Sequence, residues 1–187
     1  MHAREIPNLI SIGRILLIAP VVWCLFVGRF DYALLLFAVA GFSDALDGFL
    51  AKRFGWQSGL GAILDPIADK MLLVSCYVVL VVLDLIPVAL TVVVILRDVL
   101  IVIGAIVYHY KIEAFDPSPS MISKVNTTFQ IMLVIVVVAA QDVLPVPNLL
   151  LQFFLWGVWL TTIISGLAYL WVWGKRAHQV RREDINR

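Results

Sequence analysis

The sequence predicts an all-α integral membrane protein with six transmembrane helices. Of its 187 residues, 62% are hydrophobic and only 14% are charged, whereas soluble domains carry about 25% charged residues. The mean hydropathy is +0.99, and the apolar residues form runs of the length that a helix needs to cross a bilayer, about 18 residues or more. This composition excludes an ordinary soluble protein, and the net charge of +1 gives no sign of nucleic-acid binding.

Polar breaks divide the chain into six predicted spans within a single domain, 1–187. We place these spans at about 9–28, 31–53, 61–83, 86–110, 121–141 and 149–173. The breaks read GRFD, FGWQSG, LDLIP, KIEAFDPSPS and QDVLPVPN, and they are rich in residues typical of turns. Residues 1–8 are too few and too polar to cross a bilayer, so they predict a short interfacial segment.

The basic residues predict that both termini face the cytoplasm. In that orientation the opposite loops carry only Arg29, as the positive-inside rule requires. No small-residue cleavage motif follows the first apolar run, so we expect it to remain as a helix. No transit peptide precedes it, which favours a bacterial plasma membrane unless the chain is a mature fragment.

Four aspartates interrupt the second and third spans. Asp44 and Asp47 are three residues apart, and Asp65 and Asp69 are four apart, so each pair shares one helix face. The short connection makes the two helices antiparallel neighbours. Asp44 precedes Lys52 by about 12 Å of helix, and Asp65 lies at a similar depth on the return. We therefore expect the four acids to meet in one pocket near the cytoplasmic side.

The negative charge of such a pocket requires compensation. Four carboxylates in an apolar site must be protonated, paired or bound to cations, and the bases within reach are Lys52, Arg53 and Lys70. Oxygen ligands suit Mg²⁺ or Mn²⁺, and two such ions about 4 Å apart would clamp a phosphoryl-transfer site. A merely salt-bridged helix pair is the other interpretation, but four acids at one depth hold two helices together poorly.

A family signature covers this stretch. Its pattern, D-x2-D-G-x2-A-K-x8-G-x3-D-x3-D from Asp44 to Asp69, resembles that of the CDP-alcohol phosphatidyltransferases. Every fixed position agrees except Lys52, where the family usually has arginine. Arg53 follows directly, so the charge is kept, but a bidentate contact with the nucleotide diphosphate is in doubt.

The resemblance implies a six-helix fold, usually a homodimer, with an active site open to the cytoplasmic leaflet. It implies two Mg²⁺ or Mn²⁺ ions, and it makes Asp69 the general base for the acceptor hydroxyl as well as a metal ligand. The residues implied to hold the metals are Asp44, Asp47, Asp65 and Asp69. The residues implied to bind the CDP moiety of CDP-diacylglycerol are Asn8, Asp44, Asp47, Gly48, Ala51, Lys52 and Gly61.

The acceptor site is predicted from residues outside the signature, together with Arg53. Arg97 precedes Asp98 in span four; because adjacent helical residues do not face each other, we expect Arg97 to point to a polar cavity and a phosphate. Lys124 either forms a phosphate clamp with Arg97 or only extends its amine to the membrane interface. Asn126 is the last of the predicted acceptor-binding residues. A snorkelling contact of Arg14 with headgroups is also left open.

The acceptor itself is predicted from a closer resemblance. The strings SDALDGF, ALDPIADK, DLIPVALT, RDV and ISKVNT look most like those of cardiolipin synthases of the mitochondrial, CMP-forming type. Phosphatidylglycerophosphate synthases are close relatives that more often have lysine where this chain has Asn126. A less basic pocket favours phosphatidylglycerol, with one negative charge, over glycerol-3-phosphate, with nearly two. The resemblance thus implies cardiolipin and CMP as products, with glycerol-3-phosphate as the alternative acceptor.

Two other classes of protein are compatible with aspartates in membrane helices. A cation transporter or channel would use them as an ion site, but their placement near one side of the membrane is then unexplained. A membrane prenyltransferase also binds diphosphate through Mg²⁺, but its acidic motifs are spaced differently and lie on non-adjacent helices.

Overall fold

The computed structural model describes residues 6–54, 61–111, 121–141 and 143–185, and over these ranges it contains α-helices and no strand. The helices are α1 (Ile6–Phe26), α2 (Phe30–Phe54), α3 (Gly61–Val82), α4 (Val88–Lys111), α5 (Met121–Ala139) and α6 (Asn148–Ile185). The prediction of an all-α protein is therefore confirmed.

The helix bounds follow the predicted spans closely, except at the two ends of the chain. Helix α6 continues to Ile185, well beyond the predicted end of the last span. Helix α1 begins at Ile6, so 6–8 belong to α1, and 1–5 lie outside the described residues. The predicted interfacial segment is thus not a separate element where it is described.

Within the part of the chain that the structure describes, two helices have the length and composition of membrane spans: Met121–Ala139 and Asn148–Trp171. Part of α1, Ile10–Phe26, is apolar but shorter. Large apolar side chains are exposed on several helices, among them Leu149 and Trp156, and surfaces of this kind suit contact with lipid or protein. The six-span topology itself stays a prediction.

The chain forms two compact units. The first comprises Met1–Pro87 with Val134–Leu151, and the second comprises Val88–Leu133 with Gln152–Arg187. In the first unit α1 packs along α2 and α3. Its interior is apolar: Leu25, Phe37 and Cys76 are buried and line a small cavity.

An aromatic cluster is a prominent contact in the second unit. The Phe129 ring on α5 lies 6.0 Å from that of Phe153 and 5.9 Å from that of Phe154 on α6. One turn further along α6, Gly157 faces the same Phe129 ring so closely that a methyl group there would overlap it. The small residue lets α5 and α6 approach each other.

Helices α1 and α3 end in the same backbone motif. Gly28 and Asp84 adopt φ angles of 74° and 57°, in the left-handed region. The amides that follow them, of Arg29 and Leu85, donate to carbonyls five residues back at 2.8 and 2.9 Å. These bonds define Schellman caps. Glycine suits the left-handed position, whereas an aspartate there carries a steric cost.

Candidate functional site

Two signature aspartates converge in the first unit. Asp44 lies on α2 and Asp69 on α3, and one nitrogen of Arg14, on α1, contacts both. Arg14 Nη1 lies 2.9 Å from Asp44 Oδ1 and 2.6 Å from Asp69 Oδ1. The two carboxylate oxygens are therefore no farther apart than the sum of these distances. The structure brings together the first and last acids of the motif, as the sequence predicts.

Burial differs sharply between these three side chains. Arg14 is 1% exposed, whereas the side chains of Asp44 and Asp69 are 42% and 41% exposed. The guanidinium thus lies on the protein side of the carboxylates, and the carboxylates retain an accessible side. Hydrogen bonds between ionised partners are shorter and stronger than neutral ones, and a buried cation requires such partners.

The position of Arg14 corrects the sequence analysis. A snorkelling contact with headgroups is wrong, because the side chain is buried and bound to Asp44 and Asp69. The bases expected near the acids were Lys52, Arg53 and Lys70, and Arg14 was missed. The signal was present: a charged residue inside an apolar span marks a functional site by default, for an arginine as for an aspartate.

The carboxylate oxygens of Asp44 and Asp69 are suitable ligands for a hard divalent cation. Two carboxylates from neighbouring helices meet within reach of one nitrogen, and oxygen ligands are those that Mg²⁺ and Mn²⁺ prefer. Among the side chains that the structure describes, no group of three acidic, histidine or cysteine residues gathers. The predicted set of four needs Asp47 and Asp65, whose side chains lie outside the described ones.

Other predicted site residues lie outside the described side chains as well. This holds for the CDP-binding set apart from Asp44, and for one acceptor residue. These residues are Asn8, Asp47, Gly48, Ala51, Lys52, Gly61 and Arg53.

Arg97 is buried in the second unit and forms an ion pair with its neighbour in sequence. Its Nη1 lies 2.7 Å from Asp98 Oδ1. Its Nη2 donates to the hydroxyls of Ser123 on α5, at 2.7 Å, and Ser165 on α6, at 2.6 Å. Arg97 therefore links three helices of this unit through one guanidinium.

This geometry contradicts the expectation that Arg97 and Asp98 do not pair. Adjacent residues of a helix point in different directions. The arginine side chain is nevertheless long and flexible enough to reach the carboxylate of the next residue. Both residues are buried, so each charge offsets the desolvation of the other. Ser123 and Ser165 were not predicted from the sequence as partners of Arg97.

Lys124 differs from Arg97 in its burial. Lys124 is exposed, whereas the guanidinium of Arg97 is buried and contacts Asp98, Ser123 and Ser165. The phosphate clamp expected from these two bases stays a prediction.

Asn126 is fully buried between α5 and α6. Its Oδ1 accepts hydrogen bonds from Thr161 Oγ1 at 2.8 Å and Thr162 Oγ1 at 2.9 Å. Its Nδ2 has no acceptor among the described residues. The two threonines were not predicted as partners of Asn126, because nothing in the sequence of α6 marks them as contacts of α5.

Comparison with known protein families identifies the class of this protein. The chain belongs to the CDP-alcohol phosphatidyltransferase family, whose model matches residues 4–164. The resemblance noted in the sequence is thereby confirmed at the level of the family.

The relatives to which the chain is similar include cardiolipin synthases and a phosphatidyltransferase that acts with glycerol-3-phosphate, as their names state. The chain is 38% identical over 199 residues to the human cardiolipin synthase (CMP-forming), a match that covers 95% of this chain and 64% of that protein. It is 39% identical over 196 residues to the rat cardiolipin synthase (CMP-forming), covering 94% and 63%. A rice chloroplastic CDP-diacylglycerol–glycerol-3-phosphate 3-phosphatidyltransferase is 36% identical over 147 residues, covering 70% and 45%. The chain spans less than two thirds of each of these relatives.

The human and rat relatives also bear on location. Both are animal proteins, and they argue against the bacterial plasma membrane that the sequence analysis favoured. The coarser conclusion, a membrane protein, agrees with the two helices that have the length and composition of spans.

Proposed function

We propose that this chain transfers a phosphatidyl group from CDP-diacylglycerol to phosphatidylglycerol, forming cardiolipin and CMP. The observation that carries the proposal is the convergence of Asp44 and Asp69 on Arg14 Nη1. These aspartates are the first and last of the signature that resembles the family's, and the chain belongs to that family. Their carboxylates are partly exposed and form an acidic surface.

The proposal assigns two divalent cations, Mg²⁺ or Mn²⁺, to the four signature aspartates, Asp44, Asp47, Asp65 and Asp69. When bound, such ions neutralise the diphosphate of the donor and stabilise CMP as the leaving group. The oxygen donors of Asp44 and Asp69 support this assignment.

Asp69 is proposed as the general base. Its carboxylate takes the proton of the acceptor hydroxyl while the acceptor oxygen forms a bond to the phosphatidyl phosphorus and the bond from that phosphorus to CMP breaks. The contact with Arg14 at 2.6 Å fixes the carboxylate in position, and its partial exposure leaves it accessible to a substrate. Asn8, Gly48, Ala51, Lys52 and Gly61 are proposed to bind the CDP moiety.

Arg53, Arg97, Lys124 and Asn126 are proposed to bind the acceptor. The charges of two of these residues, Arg97 and Asn126, favour a phosphodiester. Asp98 offsets the charge of Arg97 at 2.7 Å, and Asn126 is neutral. A diester headgroup with one negative charge needs less positive charge than glycerol-3-phosphate does. The latter acceptor remains the second candidate, because the rice relative carries it in its name.

The proposal includes a membrane arrangement. Six helices cross a cellular membrane with both termini and the acidic site on the cytoplasmic side, and two copies form a homodimer. Light scattering of the detergent-solubilised protein, corrected for bound detergent, measures the number of copies, and a monomer contradicts the last element.

The test is an acceptor assay on the purified chain in lipid nanodiscs. With CDP-diacylglycerol and Mn²⁺ present, phosphatidylglycerol or glycerol-3-phosphate is supplied separately, and CMP and the lipid product are quantified. We expect cardiolipin and CMP with phosphatidylglycerol. Product from glycerol-3-phosphate alone selects the second candidate, and cation flux without CMP release contradicts both.

A matched pair of variants ties the activity to the site. D69N removes the proposed base, and D31N removes an exposed aspartate of α2 that contacts Arg29 at 3.5 Å and lies outside the signature. We expect CMP release to be lost in D69N and retained in D31N. Equal losses in both contradict the assignment of the site.

A further inference from the structure

Arg14 is a buried cation that positions the proposed base Asp69, and its positive charge has a second consequence for the acidic site. It is 1% exposed, and a single nitrogen contacts Asp44 on α2 and Asp69 on α3. We propose that Arg14 is an internal counter-cation: it stabilises the acidic site when no divalent ion is bound, and it lowers the affinity of the site for that ion. The inference rests on the metal-binding part of the proposed function.

The first half of the inference follows from charge and burial. Asp44 and Asp69 lie on separate helices, yet their Oδ1 atoms bind the same nitrogen at 2.9 and 2.6 Å. Two carboxylates at such a separation repel each other. The guanidinium between them removes this repulsion and joins α1, α2 and α3. In the metal-free protein Arg14 therefore performs the electrostatic role that a bound cation would otherwise perform.

The second half concerns the direction of the effect on metal binding. A divalent ion held by Asp44 and Asp69 shares its ligands with Arg14, and a dication is repelled twice as strongly as a single charge at the same distance. The hydrogen bonds from Arg14 also position the carboxylates, which favours the metal. Arg14 therefore weakens metal binding in two ways, by repelling the ion and by occupying the carboxylate oxygens, and strengthens it in one, by positioning the carboxylates. We expect the two weakening effects to be larger, so that removal of Arg14 tightens metal binding.

This direction separates the inference from a merely structural role. An arginine that only holds the helices together leaves a looser site when it is removed, and the metal then binds more weakly. An internal counter-cation leaves a more negative site, and the metal then binds more tightly. Because stability and binding are linked, the variant must also regain stability when metal is added.

The experiment uses R14M, since methionine is a flexible, uncharged side chain that fills irregular space. Mn²⁺ alone is titrated into the full chain in nanodiscs, and free Mn²⁺ is followed by its electron paramagnetic resonance signal. Thermal unfolding is recorded in EDTA and in saturating Mn²⁺. We expect R14M to bind Mn²⁺ at least tenfold more tightly than the wild type, which is about 1.4 kcal/mol. The rise in Tm on adding Mn²⁺ is then larger by about 3–6 °C.

Two further variants serve as controls. R29M makes the same substitution at an exposed arginine of the same unit, which also contacts an aspartate, Asp31 at 3.5 Å; its Mn²⁺ affinity should equal that of the wild type. R14K keeps the positive charge that repels the metal. It should therefore bind Mn²⁺ within about threefold of the wild type.

Each outcome decides the question. Mn²⁺ binding by R14M that is equal to or weaker than that of the wild type overturns the counter-cation role and leaves the proposed function intact. An R14M chain that folds only with Mn²⁺ supports the role, and one that does not fold even with Mn²⁺ overturns it. A wild-type chain that binds no Mn²⁺ refutes the metal site of the proposed function, and the inference with it.

Discussion

The buried ion pair of Arg97 and Asp98 provides the sharpest test of how this fold is held together. The two side chains are 4% and 9% exposed, and their charged atoms are 2.7 Å apart. Removing one member of a buried pair leaves the other charge in an apolar interior and costs about 3–5 kcal/mol. R97M also loses the hydrogen bonds to Ser123 and Ser165. We expect the free energy of unfolding to fall by about 3–5 kcal/mol.

The double variant R97M/D98N separates the pair from the rest of the network. It removes both charges, so the penalty for an uncompensated carboxylate disappears. We expect it to be more stable than R97M, with a coupling energy of about 2–3 kcal/mol. Unfolding by SDS in mixed micelles, followed by circular dichroism, gives the four free energies of this cycle. A loss below about 1 kcal/mol in R97M, or effects that simply add, refutes the reasoning.

The same cycle tests the proposed acceptor role of Arg97. If the guanidinium also binds the acceptor, the KM for phosphatidylglycerol stays raised in R97M/D98N although stability recovers. A KM equal to that of the wild type in the double variant removes Arg97 from the acceptor site and leaves it only as a link between α4, α5 and α6.

The remaining predictions concern single positions. D69N keeps an oxygen that can accept from Arg14, so CDP-diacylglycerol binding should persist while turnover falls by about 10²–10⁴; substantial turnover removes Asp69 as the base. G157A should destabilise the chain by about 1–3 kcal/mol, because the methyl group overlaps the Phe129 ring. G166A is the control in the same helix, since a methyl group there meets the nearest side-chain atom at an ordinary 3.9 Å. D84G should raise the stability by up to about 1 kcal/mol, because glycine adopts the left-handed conformation without steric cost; a loss of stability contradicts this account of the cap.

Much of the architecture was predictable, because long apolar runs and turn residues determine where helices start and stop. Each helix of the described residues overlaps a predicted span, although α6 continues beyond the last one. The convergence of Asp44 and Asp69 was predictable too, since helix periodicity and a short connection set their face and depth. That part of the site depends on local geometry alone.

The partners of the arginines were not predictable in the same way. Arg14 reaches Asp69 across 55 residues of sequence, and Arg97 reaches Ser165 across 68. Such contacts depend on how helices pack and on the reach of a flexible side chain, which spacing along one helix does not specify. The pairing of Arg97 with Asp98 shows the same limit: in an apolar interior, the need to offset charge overrides the usual direction of adjacent residues.

The shared nitrogen of Arg14 also has a consequence for how the chain is made. Asp69 follows Arg14 by 55 residues, so a ribosome completes α1 and α2 before this second carboxylate exists. Until α3 is synthesised, the guanidinium lacks its contact with Asp69, and a buried cation is costly without such partners. A chain truncated before α3 therefore lacks part of what holds α1 in place, and it should be a substrate for membrane quality control.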